Sequence, residues 1–424
     1  MRFLFVNIGH AYAHFFLLIY PTVVVVMQVE SGGDYGDLLL PSTVGFVCFA
    51  AGTLPAGWLG DRWSRPAMLA LQFLLLGLGA LLAAAREDAS LLLPGLALIG
   101  LGASIYHPVG LPLAAETGPR VGIGVGRALG VNGVWGNMGV AAAPLLSGWL
   151  AVRLGWQGAF LVPGALSLAT GLAFLPLCRN WPRPVQDAPA AGKPAASTAA
   201  SAAATAERWR IMAFLLVAAL FGGLIFAAMT VALPKMLAET PAAGLRIGDA
   251  ATGATLGAAG LASLVFALAA FAQLPSGRAV DRFGARRLIL LVAVPQILLF
   301  ALLALLQGWV AILLLALVVP LIFGEIPMHD SLAVRAADPR WRARFFAAKY
   351  MLSLGVSSAA VPLIAWLHGP EVGFRALFAL LAVAAGGIVV AALLLLPGAR
   401  PAGDRVAAVV APAGMAQTKR PRSI

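Results

Sequence analysis

Along the whole chain, apolar runs of about bilayer-crossing length are separated by short polar connections. An α-helix rises about 1.5 Å per residue, so roughly 20 apolar residues cross the hydrocarbon core. The runs fall at 4–27, 38–59, 66–85, 90–113, 128–150, 157–177, 210–233, 251–276, 287–306, 309–331, 346–367 and 373–396. They predict an all-α membrane protein with twelve transmembrane helices. One connection differs from the rest. From Pro182 to Ala206 it is rich in Ala, Pro, Ser and Thr and nearly free of large apolar side chains. Such a stretch buries too little surface to fold and predicts a flexible linker, and the tail after Pro397 has the same character. The chain therefore divides into a six-helix bundle over 1–181, a linker over 182–208, a second six-helix bundle over 209–397 and a disordered tail over 398–424.

Composition supports lipid as the solvent. Of 424 residues, 61% are hydrophobic and 11% charged, and the mean hydropathy is +0.92. Soluble domains carry roughly 45–50% apolar and about 25% charged residues. The net charge of +12 would suit nucleic acid on a soluble protein. Here the basic residues sit in the connections, so they report topology and no nucleic-acid partner is predicted. One set of connections holds Arg62, Arg65, Arg120, Arg127, Arg179 and Arg208, and later Arg286, Arg287, Arg340 and Arg344. The opposite set holds few bases and carries Glu30, Asp34, Asp37, Glu87 and Asp88. The positive-inside rule then places both termini and the linker in the cytoplasm of a bacterial-type inner membrane. The two cysteines, Cys48 and Cys178, offer neither a disulfide framework nor a Cys-x-x-Cys metal site. The first run has no clear cleavage site and is interrupted by His10 and His14, so it reads as a retained helix.

The second and eighth runs end alike. Leu54-Pro55-Ala56-Gly57-Trp58-Leu59-Gly60-Asp61-Arg62-Trp63 and Leu274-Pro275-Ser276-Gly277-Arg278-Ala279-Val280-Asp281-Arg282-Phe283 stand 220 residues apart (281 − 61). Leu, Pro, Gly, Asp and Arg recur in register, as a duplicated six-helix unit requires. These segments resemble the cytoplasmic loop signature of the major facilitator superfamily, G-x-x-x-D-R-x-G-R-[KR]. Gly57, Asp61, Arg62 and Arg65 carry it in the first half, and Gly277, Asp281, Arg282, Gly284, Arg286 and Arg287 in the second. The first copy departs from it at Ser64 and Pro66. The resemblance implies two parallel halves around a midplane site. It also marks Gly57, Asp61, Arg62, Arg65, Gly277, Asp281, Arg282 and Arg286 as a cytoplasmic gate. An acid near a helix terminus and nearby arginines can pair across that face. The alternative is a solvated loop whose arginines only set topology.

A narrower resemblance lies in the first half. Gly100-Leu101-Gly102-Ala103-Ser104-Ile105-Tyr106-His107-Pro108 is similar to the fourth helix of fosmidomycin-resistance-type exporters. Gly126-Arg127-Ala128-Leu129 and Gly133-Val134-Trp135-Gly136-Asn137-Met138-Gly139 resemble their fifth, and Gly9-His10 their first. The segment from Gly324 to Tyr350 is distinct.

Ionisable groups within a span cost about 2.5–3.5 kcal/mol on insertion scales and usually face an internal cavity. His10 and His14, at i and i+4, share one face of the first helix with Asn7 one turn earlier. They suit substrate contact, proton transfer, metal binding or a hydrogen-bonded pair between helices. With no carboxylate or thiolate nearby in sequence, no metal site is predicted. Tyr106-His107-Pro108 puts an imidazole beside a proline that frees a backbone carbonyl. Glu325 and His329 repeat the i, i+4 spacing, with Asp330 adjacent; a desolvated carboxyl there can cycle its proton, and Asp330 can instead pair with Arg335 or Lys349. Asn132 and Asn137 lie among Gly130, Gly133, Gly136 and Gly139, a spacing that suits close helix approach or solute contact. Leu96 and Ala97 occupy the region where many drug antiporters carry a helix-4 arginine. Coupling must then come from the histidines and Glu325.

Together these features predict a secondary transporter, proton-coupled, exporting a small solute or drug as a monomer and without a cofactor. Uptake of a small anion, nutrient or metal ion is the alternative. An intramembrane enzyme would need Gly-x-Ser-x-Gly, His-Glu-x-x-His or an equivalent set, and the sequence has neither motif. A sensor or assembly factor would usually add a soluble domain, for which the linker and tail are too short.

Overall fold

The computed structural model describes residues 1–85, 89–181, 198–240, 250–337, 342–369 and 372–396. The main helices are α1 (Arg2–Ser31), α2 (Ser42–Arg62), α3 (Arg65–Ala83), α4 (Leu92–Val121), α5 (Val125–Leu154) and α6 (Gly158–Arg179). They continue with α7 (Thr198–Ala238), α8 (Ala250–Phe283), α9 (Ala285–Leu305), α10 (Trp309–Ala336), α11 (Arg342–Leu367) and α12 (Arg375–Leu395). Among the described residues, eleven segments are long and apolar enough to cross a membrane. The twelfth, α5, has the length, 30 residues, but its glycines and asparagines dilute its hydropathy.

Two local features depart from the plain apolar pattern. The helix α7 starts at Thr198, well before the predicted span at 210 and inside the predicted linker. The stretch is Thr-Ala-Ala-Ser-Ala-Ala-Ala-Thr-Ala-Glu, and alanine is the strongest helix former. The rest of the predicted linker, 182–197, and the predicted tail, 398–424, lie outside the described residues. In α4 the regular helix over Leu92–Ser104 gives way to a π-turn over Tyr106–Gly110 before resuming at Leu111. Pro108 has no N–H to offer the ladder, and the wider turn accommodates it.

Helix contacts repeat with a shift of six. The pairs α1–α5, α2–α4, α3–α4 and α3–α6 in the first half have counterparts α7–α11, α8–α10, α9–α10 and α9–α12 in the second. The halves meet along α2–α11 and α5–α8, two seams that exchange under the same shift, while α1 touches α7, its own counterpart. The duplication read from the loop signature is thus a duplication of architecture. Glycines allow the closest approaches: a Cβ on Gly100 would lie 2.1 Å from the backbone oxygen of Gly45, across α2–α4. Outward, Leu291, Leu298 and Leu305 form an exposed stripe on α9, at 61–74% exposure, as a face toward acyl chains requires.

The chain direction defines two ends. Arg2 donates to the carbonyl of Asn180, so the start of α1 and the end of α6 share the end from which the linker leaves. The ends of α1, α7 and α11 lie at the opposite, far end.

Candidate functional site

The first half concentrates polar groups where α1, α4 and α5 meet. The His10 ring lies over Gly136 of α5, where a Cβ would stand 2.5 Å from His10 Nε2. This approach lets His10 Nδ1–H donate to the backbone carbonyl of Asn132, 2.7 Å away. A carbonyl only accepts, so Nδ1 carries a proton, and in the neutral ring Nε2 keeps its lone pair. Asn132, fully buried, donates through Nδ2 to Asn7 Oδ1 at 2.8 Å and to the Tyr106 hydroxyl at 2.7 Å. Tyr106 in turn stacks on His10, with centroids 4.3 Å apart and planes 13° apart. One asparagine therefore ties α1, α4 and α5 together and fixes both aromatic rings.

His14 and His107 complete an imidazole cluster. Ring centroids are 5.1 Å apart for His10–His14 and 5.5 Å for both His10–His107 and His14–His107. One ring nitrogen from each lies within 4.8 Å of those of the other two. His107 Nδ1 is buried and has no hydrogen-bond partner. The π-turn places His107 on the side of α4 that faces α1 and the second half.

His107 also crosses the seam. It stacks on Tyr350 of α11, centroids 5.4 Å apart and planes 18° apart. Tyr350 donates to Asp330 Oδ2 of α10 at 3.2 Å, and Lys349 forms an ion pair with Asp330 Oδ1. Counting about 1.5 Å per residue from the linker end, His10 and Tyr350 both sit about 12 Å into their helices. In helices of 30 and 26 residues this places the site nearer the linker end than the middle.

Of the predicted site residues, the structure brings His10, His14, Tyr106, His107, Asn132 and Asp330 into one network. Asn137 is buried on α5, but no described hydrogen bond or ring contact joins it to that network. Glu325 is buried and faces α9, where Gln296 Nε2 donates to it at 3.0 Å. His329 is buried against Phe214 of α7, centroids 5.7 Å apart, with Nε2 unpartnered. Both lie inside the second bundle, away from lipid. Sequence reasoning named Lys349 only as a partner for Asp330 and overlooked Tyr350 and Gln296. A lysine within the predicted span 346–367 and a glutamine within 287–306 were the available signals.

At the loop signature, Arg65 bonds Asp61 at 3.0 Å and Glu116 of α4 at 2.7 Å, and Arg62 lies over the Trp58 ring at 4.4 Å. A Cβ on Gly57 would meet Pro108 at 3.2 Å, so α2 rests against the π-turn. These contacts lie within the first half. Arg286 reaches the carbonyl of Leu396 at 3.5 Å, within the second half. Gly277, Asp281 and Arg282 lie on α8 outside the residues whose side chains are described.

The far end carries a network absent from the sequence reading. Lys235, at the end of α7, donates to Gln28 of α1, pairs with Glu239 at 3.1 Å and lies 5.3 Å from the Tyr35 ring centroid. Glu239 also accepts from His368 Nε2 at 2.8 Å, and His368 packs edge-on against Tyr35 at 5.0 Å. Burial alone would raise the Glu239 carboxyl, but the His368 hydrogen bond and the Lys235 charge overrule it and hold it below its ordinary value. Beside this network, a Cβ on Gly36 would stand 2.8 Å from the backbone oxygen of Ala365. The two halves are therefore joined at the far end by side chains and by backbone approach.

Comparison with known proteins agrees with this architecture. The sequence profile of the Major Facilitator Superfamily matches residues 5–248. An uncharacterized MFS-type transporter of Mycobacterium tuberculosis is 30% identical over 172 residues, covering 39% of this chain and 24% of the relative. The riboflavin transporter RibZ of Clostridioides difficile is 26% identical over 123 residues, 28% of this chain and 26% of the relative. The chain thus spans about a quarter of the length of the curated relatives it matches. Among solved structures, a D-xylose–proton symporter superimposes with a TM-score of 0.69 at 13% identity, covering 93% of this chain and 97% of the other. The nucleoside transporter NupG superimposes at 0.64 and 17% identity, covering 93% and 99%. A bacterial homologue of the human transporter Spinster, inward-facing, reaches 0.65 at 13% identity, covering 92% and 94%. At these identities the likeness is one of fold.

Proposed function

We infer the function of this chain from its family: it belongs to the major facilitator superfamily and is a multi-pass membrane transporter, a secondary carrier rather than an enzyme. Beyond that, we propose proton-coupled export of a small solute by alternating access, from an inner membrane with both termini cytoplasmic. The observation that carries this reading is the His107–Tyr350 stack. It joins the imidazole cluster of the first half to the Asp330–Lys349 pair of the second at the seam where the halves must part. A solute bound there would touch both halves, and its arrival and release would bias their relative tilt. Glu325 is the proton carrier in this reading: it is a buried carboxyl whose described partner is the neutral amide of Gln296. Export is favoured by the likeness of α1, α4 and α5 to fosmidomycin-resistance-type exporters. The arginines around Asp61 and Asp281 serve as the cytoplasmic gate in the alternate state.

A growth screen of a deletion strain against antibiotics, metals and nutrients identifies the solute. Lost resistance supports export, and a lost ability to use a nutrient reverses the direction. Everted vesicles carrying a pH-sensitive dye then read solute-dependent proton movement. His107→Ala and Glu325→Gln are each expected to cut that movement more than tenfold with membrane insertion unchanged. Wild-type rates in both variants would remove the two residues from the mechanism.

A further inference from the structure

We propose that His10, His14 and His107 form a binding site for a divalent transition-metal ion of the zinc, nickel and cobalt class. The site lies in the cleft assigned to the solute, and the inference rests on that placement of the cleft, although metal binding itself needs no transport. The sequence supplied two of the ligands on α1 and no carboxylate or thiolate beside them. The fold supplies the third from α4.

The geometry is close to that of a ligand set. One nitrogen from each ring lies within 4.8 Å of the other two. Tetrahedral zinc with nitrogen at 2.0–2.1 Å sets ligand atoms about 3.4 Å apart, a closure that small side-chain rotations supply. Ligating histidines usually donate their second nitrogen to a carbonyl or carboxylate, which fixes the tautomer and aims the lone pair. His10 has that arrangement, with Nδ1–H on the Asn132 carbonyl at 2.7 Å. His107 shows the complementary sign: its buried Nδ1 has no protein partner, an uncommon and costly condition that a metal ion would relieve.

The donor set also fixes the class of ion. Three imidazoles favour borderline-soft ions over calcium or magnesium, which take oxygen ligands. Three protein ligands leave the fourth position of a tetrahedron open. None of the three ligands carries a negative charge, so a bound ion keeps both its positive charges in a region of low dielectric. That charge calls for an anionic fourth ligand, such as a carboxylate of the cargo, chloride or hydroxide.

Purified full-length protein without a polyhistidine tag tests the site with cobalt(II) and zinc(II) as probes. Titration with cobalt(II) is expected to give the visible d–d absorption of a tetrahedral ion. Dialysis against zinc followed by elemental analysis should find one ion per chain. His14→Ala and His107→Ala should each weaken binding at least about 100-fold, more than the 10–100-fold effect of losing an outer-sphere partner. The chain holds five histidines. The double variant His329→Ala/His368→Ala removes the two outside the cluster and should still bind one ion. Where an alanine variant fails to fold, His14→Gln preserves the side-chain volume. A monodisperse wild type with no bound ion, or an ion retained after loss of both His14 and His107, would overturn the site. No gradient enters this measurement, so missing proton movement in vesicles would count against the transport reading alone.

Discussion

Two glycines one turn apart on α5 show how a missing side chain shapes the site. A Cβ on Gly136 would meet the His10 imidazole at 2.5 Å, whereas a Cβ on Gly139 would meet the backbone oxygen of Ala11 at 2.1 Å. A side chain can swing aside and a backbone cannot. Gly136→Ala is therefore expected to leave a folded protein that loses most proton movement, because His10 leaves the Asn132 carbonyl. Gly139→Ala should wedge α1 from α5 and cost about 1–3 kcal/mol of stability, the usual range for overpacking. Thermal unfolding in detergent and vesicle assays on both variants separate the two; equal loss of stability would refute the distinction. At this scale the residues that meet in the polar cluster were legible in the sequence. His10, His14, His107 and Asn132 stand out because polar groups are rare in apolar runs. It could not show that Asn132 presents its carbonyl to one ring and its amide to another, since that depends on how α1 and α5 are rotated.

At the scale of the element, α4 departs from regular helix where its chemistry lies. The π-turn at Tyr106–Gly110 gives His107 its direction, and each residue of an α-helix turns by about 100°. Pro108→Ala restores an N–H to the ladder and should allow α4 to regularise, swinging His107 away from His14 and Tyr350. Proton movement should then fall more than tenfold with insertion and thermal stability unchanged. Wild-type activity would mean the turn does not set the position of His107. Proline was legible as a helix disturbance, but the kind of disturbance depends on neighbours: Gly57 of α2 rests against Pro108. Helix count and order were legible throughout, because 20-residue apolar runs have few other uses. The early start of α7 was not, because an Ala-rich stretch satisfies the composition of a linker and the propensity of a helix equally.

For the whole molecule, the far-end network joins the two halves at that end. Glu239 has its carboxyl held below its ordinary value, so the contact is complete above about pH 4.3, the usual carboxylate range, and is lost only as pH falls through the lowered value. His368 donates to it whether its ring is neutral or charged. Spin labels on the exposed Val29 and Val372 should therefore report the same short separation at pH 7 and pH 5. Glu239→Gln should add a longer separation at both pH values; an unchanged distribution would show that backbone approach at Gly36 closes this end unaided. Lys235, Glu239 and His368 fall in connections between the predicted spans, and residues 129 positions apart give no sign of meeting. The repeat itself was visible in one loop of each half, yet it extends to the main helix pairs and to both seams. Its consequence is mechanical. The α2–α11 and α5–α8 seams are images of each other, so under the proposed alternating access the molecule would turn on two matched pins rather than one. A covalent staple across either pin alone should arrest the whole cycle, while the same staple placed inside one bundle should leave it running.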